Sequence, residues 1–301
     1  MYHIILNENT LNKKNTKKLE QVKEVFERAD RKYKIHYTTH AGHATEIARE
    51  LSTPSEDTAN DELTTIVVMG GDGTMHDVLN GVVDFSSIAL GLIPMGTGND
   101  FAAAANIPSD AKKAAEIIAF LPPQNVDYIE LSNGLRTLNA IGMGIDVDVL
   151  KKAYSGKNDK KSKYLHALIY SLRHFKSYDF TVCYNGKEEK HYGLLAGVGN
   201  GRQIGGGIKV FPDAKINDGY MDLVIVDYLS KFKTIKAFVK LMTGKMNKIH
   251  EVTAVKVKEA TFIHHGGSYT VQSDGELYDD LEFNAKLVEN KLKFYLPVNN
   301  D

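Results

Sequence analysis

Apolar residues recur along the first 131 positions in two alternating rhythms. Short runs at Tyr2 to Asn7, Lys34 to Thr38, Thr64 to Met69, Ile88 to Ile93 and Val126 to Leu131 are rich in β-formers and predict strands. Helical spacing fills the gaps, at about 16–30, 43–52, 74–83 and 100–121. In the third of these Met75, Val78, Leu79, Val82 and Val83 make a single apolar stripe. Alternation of this kind predicts a mostly parallel sheet with helices on both faces, an architecture whose ligands bind beyond the carboxyl ends of the strands.

After about Ser132 the rhythm changes. Asp179 to Tyr184, Tyr192 to Val198, Tyr220 to Val226, Val252 to His264, Leu281 to Leu287 and Lys291 to Leu296 read as strands. Asn185-Gly186 and Glu289-Asn290 supply turn signals between them. Helical patterns occupy about Lys163 to Phe175 and Ser230 to Met246, the latter with an apolar stripe that packs on a sheet in preference to a membrane. The expected fold is α/β: a nucleotide-binding domain over 1–127, then a β-rich sandwich or barrel over 128–301. The polar stretch Ser52 to Glu62 is expected to be a solvated loop.

The 301 residues exceed the usual size of a single core, consistent with two domains. A formal net charge of −1 gives no electrostatic reason to expect nucleic acid as a partner. The lone cysteine, Cys183, cannot form an intramolecular disulfide and is expected to pack in a strand. The start MYHIILNENT lacks a signal-peptide pattern, so the cytoplasm is the expected compartment. No window approaches the roughly 18–20 apolar residues of a membrane span, so lipid contact is expected to be peripheral. Lys151, Lys152, Lys157, Lys160, Lys161 and Lys163 form a basic run that either rests on anionic headgroups or is a solvated loop. His36, His40 and His43 lie close together but lack a further ligand of matching spacing, which argues against zinc.

Two glycine-rich loops carry the candidate chemistry. Gly70-Gly71-Asp72-Gly73-Thr74 falls where the strand TTIVVM gives way to a helix, so backbone N–H groups can approach a phosphate and the helix N-terminus adds partial positive charge. A carboxylate at Asp72 would repel a bare triphosphate, which points to a divalent cation and hence Mg²⁺-nucleotide. The alternative is a tight turn in which Asp72 or Thr74 caps the helix. Gly96-Thr97-Gly98-Asn99-Asp100 repeats the design after the next strand, and two such loops on consecutive strands would face one crevice. Thr97 and Asn99 can reach phosphate oxygens or the base and ribose, while Asp100 either serves the site or caps its helix.

These loops, with GNGRQIGGG at 199–207, INDGYMDLVIV at 216–226 and SDGE at 273–276, resemble the bacterial diacylglycerol kinase family of soluble lipid kinases, in the family's order and over nearly the whole chain. The resemblance implies a nucleotide-binding domain like those of phosphofructokinases and NAD kinases, followed by a β-rich lipid-binding domain. It implies ATP and Mg²⁺ as cofactors and a membrane lipid, diacylglycerol foremost, as acceptor. Asn7, Thr38, Gly70 to Thr74, Gly96, Thr97, Asn99 and Asp100 belong by this similarity to the ATP site. Glu276 is implied as the base, with Asp274 orienting it or touching metal, although Asp-Gly there also reads as a hairpin turn. Asp218, with the carbonyls of Lys215 and Tyr220, is implied as a second magnesium site, against the alternative of a plain turn at 217–219. The family's proline and glycine-containing turn after Asn7 is replaced here by Glu8-Asn9-Thr10-Leu11-Asn12. A homodimer is a reasonable expectation at this size. The alternatives are a kinase of a soluble substrate such as NAD, and a non-catalytic lipid-binding protein.

Overall fold

The computed structural model describes residues 1–301 except 11, 55–62, 155–161, 176, 229–250, 267 and 299–301. The predicted helix over Ser230 to Met246, the center of the basic run and most of the Ser52 to Glu62 loop lie outside the described residues. Two compact units result, one of Met1–Asp127 with Glu289–Asp301 and one of Tyr128–Val288.

The first unit begins β1 (Tyr2–Asn7), α1 (Lys13–Arg28), β2 (Tyr33–Thr38), α2 (His43–Ser52) and β3 (Thr64–Gly70). It continues with α3 (Asp72–Gly81), β4 (Ile88–Pro94), α4 (Asp100–Ala104), α5 (Ala111–Phe120) and the start of β5 (Gln124–Leu131). β1 pairs in parallel with β2 on one side and β3 on the other, and β3 pairs in parallel with β4. The resulting order 2-1-3-4 reverses direction at β1, which makes the gap between the ends of β1 and β3 the topological switch point. Every residue of β4 is buried, as are Ile66 to Met69 of β3, so both faces are covered. α1 contributes Leu19, Val22, Val25 and Phe26 to that cover, each large side chain adding about 1.5–3 kcal/mol by burial. Asn12 caps α1, its Oδ1 accepting from the backbone N–H groups of Lys14 and Asn15. The single helix expected over 100–121 is two helices, because Asn106 adopts a left-handed φ of 56° and Pro108 follows.

The second unit adds β6 (Arg136–Thr137), β7 (Ala140–Gly144), α6 (Ile145–Tyr154), α7 (Ser162–His174), β8 (Tyr178–Tyr184), β9 (Lys187–Gly199) and β10 (Met221–Asp227). Then come β11 (Val252–Val257), β12 (Glu259–His264), β13 (Thr270–Ser273), β14 (Glu276–Asp279) and β15 (Phe283–Phe294). Its strands pair antiparallel throughout the registers of β7 to β14. Ile141, Val182, Val198, Leu223, Phe262 and Phe283 share one core, while α6 lays Ile145, Val149 and Ala153 against Leu195, Phe211 and Val224 in another. Asn185 and Gly186 take positive φ in the β8–β9 hairpin, as the turn signal predicted. The expected long strand Val252 to His264 is two strands, interrupted at Lys258, whose carbonyl accepts from Leu287 N–H. Glu289-Asn290 does not end a strand: β15 runs through it, with Asn290 at φ 54° and its N–H donated to Asp127 Oδ1 at 2.9 Å. The end of β15 belongs to the first unit, not to the domain 128–301 expected from sequence, because Lys293 and Phe294 pair in parallel with Ala89 and Leu90 of β4. Among the described residues no helix is long and apolar enough to cross a membrane.

Candidate functional site

The parallel register of the first unit sets three predicted residues, Asn7, Thr38 and Gly70, in one row. Asn7 lies opposite Thr38, Leu6 opposite Met69, and Gly70 opposite Pro94, so β2, β1, β3 and β4 all end at one edge. At about 4.8 Å per strand this edge spans about 14 Å. Thr38 is buried at its end of the row. The loops over 71–74 and 95–99 leave from neighboring strands of the same edge.

These two loops approach each other backbone to backbone at Gly71 and Gly96. A Cβ on Gly96 would sit 2.6 Å from Gly71 Cα, and one on Gly71 would sit 3.0 Å from Gly96 Cα, so neither position accepts a larger residue without movement. Met95 N–H donates to Gly70 O at 2.8 Å and Phe101 N–H reaches Asp72 Oδ1 at 3.4 Å, tying one loop to the other. Gly71 stands at the N-cap of α3 and offers no side-chain cap, with Asp72 the first helical residue.

Asn99, rather than Asp100, stands at the N-cap of α4, in the left-handed region at φ 52°. Its Nδ2 donates to Gly96 O at 2.7 Å, whereas its buried Oδ1 has no partner among the described residues. An orphaned acceptor beside a glycine cradle fits a bound nucleotide that brings its own donors. Asp100 is buried and Thr97 exposed. Lys18, which the sequence did not single out, donates from Nζ to Pro94 O at 3.2 Å, and burial, then Lys14, holds its pKa below the ordinary lysine value. Only its place in the KKNTKK helix start could have signaled it.

In the second unit Asp274 and Gly275, at φ 50° and 94°, form the two-residue turn of the β13–β14 hairpin, with Ser273 opposite Glu276. Glu276 is exposed at the start of β14. Asp274 is engaged by backbone: Oδ1 accepts from Asn139 and Ala140 N–H at 2.9 and 3.0 Å, and Oδ2 from Leu138 N–H at 2.8 Å. The carboxylate thus stitches the hairpin to the entry of β7, joined by the Thr137 hydroxyl on Ser273. Asn200 of the GNGRQIGGG segment donates from Nδ2 to Leu138 O at 2.9 Å, bringing two motif segments to one place.

Beside this lies a small cleft lined in part by Met143, Asp148, Lys151, Tyr178, Tyr269 and Thr270. Asp146, at the first turn of α6, is buried with Oδ1 unpartnered, and desolvation pushes its pKa up to about 7. Gly142 makes room for it, since a Cβ there would lie 2.3 Å from Asp146 Oδ2. Burial first, then the charges of Asp148 and Asp146, pushes Tyr178 up to about 12. The sequence reading passed over both aspartates; the DVD repeat at a helix start was the available signal.

At the implied second magnesium site the Asp218 carboxylate is already engaged by groups of the chain. Asp218 Oδ1 accepts from Tyr220 N–H at 3.2 Å, and its Oδ2 is taken by the Lys256 ammonium at 2.8 Å. His40, His43 and Glu46 can bring one ligand atom each within 4.8 Å of one another. The two imidazoles, however, stack at 4.5 Å with planes 6° apart. Glu46 is a third ligand group that the sequence reading of these histidines did not count.

The first 131 residues match the family model "Diacylglycerol kinase catalytic domain", and residues 139–295 match "YegS C-terminal NAD kinase beta sandwich-like domain". The chain is 31% identical to "Putative lipid kinase YtlR" of Bacillus subtilis over 82% of its length and 83% of that protein. It is 32% identical to "Probable lipid kinase YegS-like" of Xanthomonas oryzae pv. oryzae over 79% and 80% of the two chains. A crystal structure titled as a "putative diacylglycerol kinase" from Bacillus anthracis shares the fold, with a TM-score of 0.79 at 23% identity over 99% of this chain and 97% of that one. The chain therefore belongs to the YegS-like, diacylglycerol kinase-related family of lipid kinases.

Proposed function

We propose that this kinase transfers the γ-phosphate of Mg-ATP to the free hydroxyl of diacylglycerol, giving phosphatidic acid. The observation that carries the proposal is the backbone contact of Gly71 with Gly96, which sets two glycine loops side by side at the ends of β3 and β4. N–H groups of Gly71 to Thr74 and the α3 dipole face the phosphates, with Thr97 and Asn99 adding polar contacts and Asn7 and Thr38 extending the row. Lys18 places a fixed positive charge beside Pro94. Asp72 and Asp100 would hold the Mg²⁺ that accompanies the triphosphate, and the ion would supply neutralization of charge on the phosphoryl oxygens.

Glu276 accepts the proton of the acceptor hydroxyl. Carboxylates are weak bases toward an aliphatic alcohol, so this capture comes late in transfer, and orientation of the hydroxyl is the larger part of the role. Asp274 is a positioning residue, holding the hairpin that presents Glu276. The substrate is met at a bilayer surface by peripheral association on the cytoplasmic side.

The test is product identification by mass spectrometry after incubation with Mg-ATP and a panel of diacylglycerol, sphingosine, an isoprenoid alcohol and NAD. Phosphatidic acid as the dominant product is expected. Phosphorylation of NAD in place of every lipid would overturn the proposal.

A further inference from the structure

β10 and β11 are antiparallel, and their register sets Lys256 directly opposite Asp222. Side chains so paired leave the same face, and a slip by one residue would send Lys256 to the other face. From that position Nζ lies 2.8 Å from Asp218 Oδ2 and 3.3 Å from Asp222 Oδ2. Both carboxylates are largely withdrawn from solvent, at 23% and 13% exposed, against 40% for the lysine. Asp218 Oδ1 is already used by Tyr220 N–H.

We infer that the Lys256 ammonium is the built-in cation of the Asp218–Asp222 pair, so the turn that leads into β10 is held without a divalent ion. Mg²⁺ requires oxygen ligands at about 2.0–2.1 Å in near-octahedral array. An ammonium in hydrogen-bond contact with the same Asp218 oxygen would oppose it by charge and by space. Asp213 adds further negative charge around Asp222, and strand register brings a cation to it. A lysine stem of four methylenes anchored in a strand is an internal ligand that cannot be dialyzed or chelated away.

Thermal unfolding of the full chain, free of nucleotide, tests this in EDTA and in millimolar Mg²⁺. The wild-type midpoint is expected to be the same in both. Lys256→Met keeps the stem and removes the charge; it is expected to lower the midpoint in EDTA by roughly 3–6 °C and to recover part of that with Mg²⁺. A wild-type midpoint that falls in EDTA and returns with Mg²⁺ would overturn the inference, as would a variant as stable as wild type in EDTA. Mn²⁺ titration of nucleotide-free wild type, read by electron paramagnetic resonance, decides the matter even if the variant does not fold. No stoichiometric ion is expected, and one Mn²⁺ bound per chain and lost in Asp218→Asn would contradict it.

Discussion

Gly71 and Gly96, 25 positions apart in sequence, meet backbone to backbone, with only 2.6 Å between Gly71 Cα and the place a Gly96 side chain would begin. That contact sets the spacing of the two loops. Gly96→Ala and Gly71→Ala are each expected to cost about 1–3 kcal/mol by forcing the loops apart. Because both strike the same contact, the double variant should lose less than the sum. Urea denaturation of the three variants checks this, and strict additivity would show that the loops are independent.

Asp274 carries three backbone N–H groups on one carboxylate. Its replacement by alanine leaves those donors unpaired and is expected to destabilize the protein by about 2–4 kcal/mol, while Asp274→Asn, which keeps one carbonyl oxygen, should lose less. Calorimetric midpoints of the two variants give the comparison. Equal stability of wild type and Asp274→Ala would mean that the hairpin does not depend on this link.

Glu276→Gln separates chemistry from binding. With the carboxylate gone and the size kept, kcat is expected to fall by about 10²–10⁴ while affinity for ATP stays at the wild-type level. Steady-state kinetics with lipid in mixed micelles, beside direct nucleotide binding, reads both. Wild-type turnover in this variant would remove Glu276 from the mechanism.

Much of this was legible in the chain, for identifiable reasons. Strand β1 and helix α2 were placed at their observed limits because continuous apolar runs and a left-handed Gly42 give sharp boundaries. The glycine loops were legible because two of the same design follow consecutive predicted strands, each at a strand-to-helix junction. What the sequence hid was settled by pairing over long distances. The return of Lys293 and Phe294 to β4, the seat of Asp274 on residues 138–140, and the delivery of Lys256 to Asp218 each depend on strand register. α6 and the buried Asp146 were hidden for another reason: Gly142 and Gly144 interrupt the apolar pattern just ahead of them.

Asp146 gives a pH signature. Its folded pKa, about 7, stands above the ordinary aspartate value of 3.8, so the native state holds its proton more tightly than the unfolded chain. Its contribution to stability is therefore full below about pH 4 and is lost as pH rises through about 7. Asp146→Asn is expected to flatten the stability profile between those limits, measured by denaturation at a series of pH values. An unchanged slope would place the proton elsewhere.

The most direct measurement is calorimetric titration of Mg-ATP into wild type, Asp72→Ala and Gly96→Ala, with circular dichroism showing that each variant is folded. Binding by wild type, weakened at least about tenfold in both variants, is the predicted result, a loss of about 1.4 kcal/mol or more. Wild-type affinity in both folded variants would contradict the account, because the nucleotide would then be held somewhere other than between the loops of β3 and β4.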